Sequence, residues 1–419
     1  MTRKMKDSGV EWIGEIPKDW DTRRLKVALY MVKEIVENYN EENILSLTMN
    51  GVIVRDLVNP KGKMPTTFDG YQKISKGNFI TCLFDIDVTP RCVGIAYVDG
   101  LTSPAYTQFK INEKFDIRFV YYYLLMLDND KIIVPLTKSL RNTIRSEDFL
   151  NLKFSFPNLE SQIKISKALT DSINKINHII FENQKSIDEL KKYKQSIITE
   201  VVTKGLDPNV ELKDSEIEWL GKIPIEWDVI PSNLLFFDSV KKVEGEVELL
   251  TASQKYGVIS QRKFMELETQ VPVQKRNLND LKDVQKGDFV ISLRSFQGGI
   301  EIAQESGGVT PAYTVLKQKK YDIHPEYYKY FLKSTMYIQA LRSTVLDTIR
   351  DGKSIKFSHF SQVPLILPPF EKQVEIAKYL DSFNESIKKI IKDKNKLIKE
   401  LEQYKKSLIY EYVTGKKEV

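Results

Sequence analysis

Two long stretches of the chain carry apolar residues at alternating intervals of three and four. The first stretch, from Leu159 to Thr203, contains neither proline nor glycine. Its apolar positions are Leu169, Ile173, Ile176, Ile180, Ile187, Leu190, Ile197 and Val201, and those of the second stretch are Leu380, Ile387, Ile391, Ile398, Leu401, Leu408 and Tyr412. This spacing predicts two coiled-coil helices. Each would start just after a proline (Pro157, Pro369) and stop near a glycine (Gly205, Gly415).

Polar residues interrupt both apolar seams at the same place. Asn183 and Lys394 occupy matching positions, and Asn384 stands where the first seam has Ile173. A polar seam position costs stability but fixes register and partner. A helix of about 45 residues is roughly 65 Å long at 1.5 Å per residue. We therefore expect the two helices to pack antiparallel, with flanks left free for other helices.

The remaining sequence, about 22–156 and 229–367, has a mixed pattern. Runs rich in β-branched and aromatic residues at 78–84 and 288–293 predict strands, each preceded by a Lys-Gly turn. Helices are predicted at 117–127 and 325–332, and their tyrosines are expected to pack onto the sheet. We call these two regions the first and second body.

The chain also repeats itself. The sequence of residues 7–21 is repeated, with substitutions, at residues 214–228, an offset of 207. All four tryptophans lie inside this repeat. Residues 157–163 match 368–374, and 189–198 match 400–409, both at an offset of 211. The predicted fold is α+β: two duplicated mixed α/β domains with pseudo-two-fold symmetry, separated by two long antiparallel helices. The predicted divisions are 1–156, 157–206, 207–367 and 368–419.

Composition adds limited information. A net charge of +6 and a pI near 8.8 permit a polyanionic partner without requiring one. No apolar run approaches the roughly 18–20 residues of a membrane span, and the basic N-terminus lacks the apolar core of a signal peptide. Two cysteines, Cys82 and Cys92, are too few for a disulfide scaffold, so we expect a reduced, cytoplasmic setting without a membrane partner.

These features together resemble a known family. The segment Trp12-Ile13-Gly14-Glu15-Ile16-Pro17-Lys18-Asp19-Trp20, its repeat, the Pro-x-x-Glu-x-Gln helix starts and the doubled tail are similar to the specificity subunit of Type I restriction-modification systems. The resemblance implies two target-recognition domains that each read half of a split DNA sequence. It also implies that the helices space these domains and dock methyltransferase subunits, two of them expected, with restriction subunits joining the complex. S-adenosylmethionine, ATP and Mg²⁺ would then serve adenine methylation and restriction on partner subunits, and this chain would bind no cofactor.

Direct reading of DNA needs bidentate donors at base edges and cations or hydroxyls at phosphates. Loops of the two bodies offer such residues, although solvated surface charge is the competing interpretation for each one. In the first body the candidates are Lys61, Lys63, Thr66, Thr67, Arg91, Arg141, Asn142 and Arg145. In the second body they are Gln254, Lys255, Tyr256, Arg262, Lys263, Arg294, Gln297, Arg350 and Lys353.

The sequence offers little sign of catalysis. The segment Leu367-Pro368-Pro369-Phe370 superficially resembles the Asn/Asp-Pro-Pro-Tyr/Phe loop of amino-methyltransferases, but leucine replaces the required amide or carboxylate. No phosphate-binding loop occurs, and His178, His324 and His359 are scattered rather than at zinc-ligand spacing. We therefore predict a non-catalytic subunit. Two other interpretations stay open: an interaction scaffold without a DNA role, and an enzyme with a hidden nuclease centre.

Overall fold

The computed structural model describes residues 3–60, 64–137, 141–268, 280–292, 299–319, 322–345 and 355–419. These residues form two compact units. The first comprises Met1–Asn183 and Asn395–Val419, and the second comprises Gln184–Lys394. Each unit therefore contains one body together with half of each long helix. The division of the chain into four segments stays a prediction.

The first unit holds the strands and helices up to the first long helix. Its strands are β1 Met5–Asp7, β2 Glu15–Pro17, β3 Asp21–Arg24, β4 Leu29–Val32, β5 Leu45–Thr48, β6 Gly51–Val54, β7 Gln72–Ile74, β8 Phe79–Thr81, β9 Val93–Ile95, β10 Gly100–Thr102, β11 Thr107–Ile111 and β12 Lys153–Phe156. Its short α-helices are α1 Ile117–Asn129 and α2 Ser146–Leu150, and 3₁₀ turns cover Leu25–Val27 and Val134–Leu136. The long helix α3, Leu159–Lys204, starts in this unit.

The second unit repeats this order. Its strands are β13 Leu212–Asp214, β14 Lys222–Pro224, β15 Asp228–Ile230, β16 Phe236–Asp238, β17 Leu250–Ser253, β18 Gly257–Ser260, β19 Lys282–Val284, β20 Phe289–Ile291, β21 Glu301–Ile302, β22 Gly307–Val309, β23 Thr314–Gln318 and β24 Leu365–Leu367. Its helices are α4 Ser232–Leu235, α5 Gln261–Leu267, α6 Pro325–Phe331, α7 Thr335–Ser343, α8 Phe357–Phe360 and the long α9, Phe370–Val413.

The sheets of the two units correspond one to one. Each has a four-stranded antiparallel sheet, in the order β4-β11-β8-β9 or β16-β23-β20-β21. The two-stranded sheets β1-β2, β3-β12, β5-β6 and β7-β10 have the counterparts β13-β14, β15-β24, β17-β18 and β19-β22. The predicted duplication of a mixed α/β domain is therefore confirmed, and it extends into segments whose sequences show little likeness.

The two predicted long helices are also confirmed. Within the first unit the α9 ammonium of Lys405 lies 3.1 Å from Oδ1 of Asn177 on α3. Within the second unit the rings of Tyr193 on α3 and Phe383 on α9 have centroids 5.9 Å apart. In both units the later part of one helix therefore contacts the earlier part of the other, which is antiparallel pairing. The predicted seam residues are buried or half-buried along both helices.

A buried glutamine joins each long helix to its own body. Gln162 and Gln373 are almost fully buried. Their Oε1 atoms accept backbone hydrogen bonds from Asp116 (3.0 Å) and His324 (2.8 Å), the residues that precede α1 and α6. Their Nε2 atoms donate to the carbonyls of Pro157 (2.9 Å) and Pro368 (2.8 Å). The same side chain thus satisfies backbone groups of two helix starts, which buried polar groups require.

The C-terminal ends of the long helices pack against the repeated tryptophan segments. Gly205 follows α3 in the left-handed region, at φ 80°, and packs on the ring of Trp227. Gly415 follows α9 at φ 73° and lies against Trp20 and Pro17. Both indoles are buried. A side chain at either glycine would meet left-handed backbone strain as well as the ring. Trp20 and Trp227 are therefore packing residues, because their buried rings cannot reach DNA.

Candidate nucleic-acid interface

The candidates at the end of the first body lie beside the loop that follows β8. The backbone N–H of Asp85 donates to the carbonyl of Arg141 at 2.9 Å, and that of Ile144 donates to Leu83 at 2.9 Å. The exposed Arg141 guanidinium donates two hydrogen bonds, of 3.1 and 2.7 Å, to the Asp85 carboxylate. These bonds hold the pKa of Asp85 below its ordinary value. Three of the five guanidinium N–H groups are not used in this pair, and 75% of the Arg141 side chain is exposed.

Two neighbouring candidates have local roles. Arg145 precedes α2, and its exposed guanidinium lies 2.9 Å from Asp148 on that helix. Asn142 has a left-handed backbone, at φ 42°, and its Oδ1 accepts a hydrogen bond from the hydroxyl of Thr137 at 3.0 Å. Ion pairs as exposed as that of Arg145 and Asp148 contribute little to stability. A phosphate could therefore replace Asp148 as the partner of Arg145 at little cost.

Arg91 has a different environment from the other candidates. Only 18% of its side chain is exposed, and it lies 3.5 Å from Asp128, whose side chain is 3% exposed. Lys131 (2.9 Å) and the backbone N–H of Cys92 (2.9 Å) bind the same carboxylate. A buried carboxylate needs such partners. Arg91 therefore serves the core of the first body, and we rank it below Arg141 as a DNA contact.

The hydroxyl-rich loop of the first body is folded onto itself. The Thr67 hydroxyl donates to Oδ2 of Asp69 at 2.7 Å, and Oδ1 accepts the backbone N–H of Tyr39 at 2.8 Å. These two bonds, with Thr67 the stronger, keep the pKa of Asp69 below its ordinary value. Thr66 is exposed beside them. The loop therefore presents hydroxyls next to a stable negative charge, so any phosphate contact here depends on nearby cations.

In the second body a tight turn between β17 and β18 carries Gln254, Lys255 and Tyr256. The Lys255 ammonium lies 3.0 Å from Glu268, and the Tyr256 hydroxyl donates to the same carboxylate at 3.1 Å. Hydrogen bonds from Lys255 and then Tyr256 lower the pKa of Glu268. Gln254 is exposed at the tip of the turn. An amide on a rigid turn can make the bidentate contact that adenine requires.

The basic residues of α5 lie on the same edge of the second body. Arg262 is 3.5 Å from Glu248, and Lys263 pairs with Glu305. The backbone N–H of Gln304 donates to Val258 at 2.9 Å, which ties the Glu305 segment to β18. Helix α5 lies beside the turn after β17, since the ring centroids of Tyr256 and Phe264 are 6.3 Å apart, and both cations of α5 have carboxylate partners. The sequence alone did not show that acidic partners accompany each cation.

Six candidates lie outside the described residues: Lys61, Lys63, Arg294, Gln297, Arg350 and Lys353. The assignment of the whole candidate set to DNA contact stays a prediction.

The features considered as signs of catalysis have structural roles. Leu367 ends β24, and the prolines after it lead into α9. The backbone N–H of His324 donates to Gln373, Nδ1 of His359 accepts from the backbone of Lys356 at 3.0 Å, and His178 is exposed on α3. Among the described residues no cluster of histidine, cysteine and carboxylate side chains could hold a metal ion. Over the same ranges, no helix has the length and apolarity needed to cross a bilayer.

The described residues thus form two copies of a mixed α/β domain, each containing part of both long helices. The model of the Type I restriction modification DNA specificity domain matches residues 71–192 and 228–400. The chain therefore belongs to this family.

Two known relatives match this chain, one of them along nearly its whole length. One protein of Methanocaldococcus jannaschii, named provisionally as the type I restriction enzyme MjaX specificity subunit, is 27% identical over 96% of this chain and 95% of its own length. The type I restriction enzyme MjaVIII specificity subunit of the same organism is 27% identical over 64% of this chain and 63% of its own length.

Solved structures share the fold. A chain from a study of complex assembly and conformational transition of the type I R-M system has a TM-score of 0.65 at 13% identity. The match covers 95% of this chain and 98% of that one. The HsdS subunit from Thermoanaerobacter tengcongensis gives 0.52 at 13% identity, with 96% and 98% covered. At this identity the comparison supports the fold alone.

Proposed function

We propose that this chain is the non-catalytic specificity subunit of a Type I restriction-modification complex, and that each body reads one half of a bipartite DNA target. The observation that carries the proposal is the contrast between frame and loops. The sheets of the two units correspond strand by strand, whereas the basic loops on them differ in sequence and pairing. One frame with two different loop sets is what two different half-sites require.

Affinity and specificity would come from different groups. Exposed cations such as Arg141, Arg145 and Lys263 would bind phosphates, each contact contributing about 0.9 to the slope of log affinity against log salt. Turn residues such as Gln254 would read base edges, each good bidentate pair contributing about 1–3 kcal/mol of discrimination. Carboxylates now paired with the cations would be displaced or would orient the side chains.

The long helices would set the spacing of the half-sites and bind the partner subunits. Their outward faces carry exposed apolar side chains, which a free helix in water does not favour. The large apolar side chains exposed on α3 include Ile163, Ile179, Phe181 and Tyr193, and those on α9 include Phe370, Tyr379, Ile390, Leu397 and Tyr404. A helix of 46 residues is about 69 Å long. It is long enough for two methyltransferase subunits to dock.

The rest of the complex follows from this role. Methyltransferase subunits would bind S-adenosylmethionine and transfer its methyl group to N6 of adenine. Restriction subunits would use ATP and Mg²⁺, and this chain would bind none of these. The complex would work in the cytoplasm, where its duplex DNA target lies.

The spacing role can be tested by insertion. Four residues placed after Asn183 lengthen α3 by about one turn, or roughly 5.4 Å. Co-expression with the methyltransferase partner, followed by mapping of modified adenines, should then show a gap between half-sites changed by one or two base pairs. The control places the same four residues after Gly245, an exposed glycine between β16 and β17. A gap that stays constant after insertion at Asn183 contradicts the spacing role.

The reading role can be tested by exchange. Replacing either body with that of another specificity subunit should change one half of the methylated motif and leave the other half intact. A single continuous motif, or an unchanged motif after exchange, would refute the assignment of one half-site to each body.

A further inference from the structure

A cleft of about 550 Å³ opens within the second unit, and its lining is rich in lysine. Helices α3 and α9, helix α6 and the turn after β17 all contribute to it. The volume lies in the range of ligand-binding sites in proteins. The lysines that line it are Lys194, Lys255, Lys329, Lys333 and Lys388.

Three of these lysines have close acidic partners. Lys255 pairs with Glu268 at 3.0 Å, Lys329 with Asp381 at 3.0 Å, and Lys333 with the buried Glu301 at 2.5 Å. Their charges are largely neutralised inside the protein. They set the walls of the cleft but leave little positive charge for a ligand.

The other two lysines are available. Lys388 pairs with Glu385 one turn away on α9 at 2.7 Å, and both side chains are at least 60% exposed. Such a surface pair is weak and exchangeable. Lys194 is half-buried on α3, and among the described residues no carboxylate lies within ion-pair distance of it. Burial, Lys388 and Lys333, in that order, lower the pKa of Lys194, and the Glu385 carboxylate opposes this shift. Two neighbouring lysines against the one exposed carboxylate of Glu385 leave a positive charge that a further anion would neutralise.

The first unit provides an internal comparison. At the offset of 211, Lys194 corresponds to Lys405 and Lys388 corresponds to Asn177. In the first unit the Lys405 ammonium donates to the Asn177 side chain at 3.1 Å. The second unit therefore has a second cation where the first has a neutral acceptor. Two lysines facing one cleft are not a requirement of the helix pair.

Other positions that line the cleft are also charged or polar in the second unit, whereas the corresponding positions of the first unit are not. Glu301 lies opposite Val290 in the second unit, and Gly94 lies opposite Ile80 at the same place in the first unit. Glu301 therefore corresponds to Gly94. The hydrogen bond between Tyr330 and Asp381 corresponds to that between Tyr122 and Thr170, and this aligns α6 with α1 at an offset of 208. Lys333 then corresponds to Leu125, and Asn384 corresponds to Ile173. The first unit has glycine and apolar residues where the second has a charged, polar cleft, so the fold does not require these charges.

We propose that Lys194 and Lys388 bind one phosphate group in this cleft and, if the proposed function holds, that this phosphate belongs to the backbone of the bound DNA. Two ammonium groups act as point charges suited to a compact oxyanion. Gln254 and Tyr256, on the candidate base-reading turn, line the same cleft. A phosphate held by the helices would fix the register of the duplex against that turn, as phosphate contacts do in other DNA-binding proteins.

The test uses two charge-removing variants of the full chain, co-purified with its methyltransferase partner. Lys194→Gln removes the unpaired cation, and Lys388→Asn installs the residue found at Asn177. The control is Lys405→Gln, which removes the corresponding lysine of the first unit. DNA affinity is measured from 50 to 300 mM salt with a target and an unrelated duplex. Thermal stability is measured with and without inorganic phosphate.

One phosphate contact contributes about 0.9 to the salt slope, so we expect each variant to reduce the slope by at most about 0.9 and to weaken binding by up to about eightfold at 0.1 M salt. Both duplexes should be affected alike, and Lys405→Gln should leave the slope unchanged. Without ligand the two variants should melt no lower than the wild type, because a repulsion is relieved. A purely structural role for these lysines predicts the opposite, a lower melting temperature.

Several results would overturn the proposal. If neither variant changes the salt slope or the stabilisation by phosphate, the cleft is not a phosphate site. If the slope stays constant but stabilisation by phosphate is lost, the DNA backbone is not the source. Loss of methyltransferase binding with an unchanged slope would assign the cleft to an acidic protein segment instead. If the wild type binds no DNA at all, the proposed function fails, while stabilisation by phosphate that Lys194→Gln abolishes still supports the site.

Discussion

The buried carboxylate of Glu301 gives the sharpest prediction about stability. Its residue is 1% exposed, and the Lys333 ammonium lies 2.5 Å from Oε2. Oε1 is buried and has no hydrogen-bond partner among the described residues. Lys333 is itself 29% exposed and also donates to the carbonyl of Gln254 at 3.0 Å. The two partners therefore depend on the pair to very different extents.

The two single substitutions should have unequal effects. Lys333→Met leaves a buried charge without its partner, which costs about 3–5 kcal/mol in buried pairs. We expect about 3 kcal/mol here, because partial exposure lets water approach. Glu301→Met leaves a lysine that reaches solvent and keeps its carbonyl partner, so its cost should stay below about 1 kcal/mol. The double variant should lie within about 1 kcal/mol of the wild type, since two apolar residues replace both charges.

The cost of Lys333→Met should also depend on pH. Burial raises the pKa of Glu301 above its ordinary value, and Lys333 opposes this rise. Removing Lys333 raises the pKa further. Between the two pKa values of Glu301, the folded protein holds a proton that the unfolded chain has released. The contribution of this proton to stability is fully present below the unfolded-state pKa and is lost as pH rises through the folded-state pKa. The deficit of Lys333→Met should therefore be smaller at pH 5 than at pH 8.

Hydrogen exchange of the β20 and β23 amides measures the stability of this sheet directly. The free energies of opening of the four proteins at pH 5 and pH 8 complete a double-mutant cycle. Equal costs for the two single variants, or a Lys333→Met deficit that does not change with pH, would refute the assignment of a dependent buried carboxylate.

Three further predictions concern the frame. Gln373→Ala should cost about 1–3 kcal/mol, because it leaves buried backbone groups at the starts of α6 and α9 unpaired; hydrogen exchange at the start of α9 measures this, and unchanged protection there contradicts it. Gly415→Ala should destabilise the protein more than Gly14→Ala. Both glycines have left-handed φ values, 73° and 67°, but only at Gly415 would an added Cβ lie 2.4 Å from another atom. Equal melting temperatures of the two variants would disprove the packing argument. Arg91→Met should lower stability by about 1 kcal/mol through Asp128 and leave the salt dependence of DNA binding unchanged, and a lower salt slope at constant stability would instead make Arg91 a phosphate contact.

The long helices could be predicted because their determinants are local. The three-four spacing, the prolines before Leu159 and Phe370 and the glycines after both helices fix the ends within a few residues. The buried strands β8 and β20 were equally visible as short apolar runs after Lys-Gly turns. In these segments the residues that decide the structure are neighbours in sequence.

The topology that the described residues of 30–75 and 236–285 share could not be predicted. The pairs β5-β6 and β17-β18 adopt the same arrangement with unrelated side chains, because strand pairing uses backbone groups that sequence comparison does not detect. Helix α5, which follows β18, was not predicted either. The ion pairs of the candidate cations were also hidden, since partners such as Asp128 for Arg91 lie far away in sequence.

The duplication itself separates positions that build the frame from positions that act on a ligand. Gln162 and Gln373 make equivalent bonds, and Gly205 and Gly415 lie against the equivalent tryptophans Trp227 and Trp20. Identity between the halves therefore coincides with contacts that any helix-to-body junction needs. Positions where the halves differ cannot be needed for that purpose, because one half folds without them. The equivalent residues Tyr122 and Tyr330 show a shared position with a changed partner. Tyr122 bonds to the hydroxyl of Thr170, whereas Tyr330 donates to the carboxylate of Asp381. That carboxylate also binds Lys329, which lines the cleft. Differences between the halves are therefore where ligand contacts should be sought, and the lysine cleft is the place where several such differences meet.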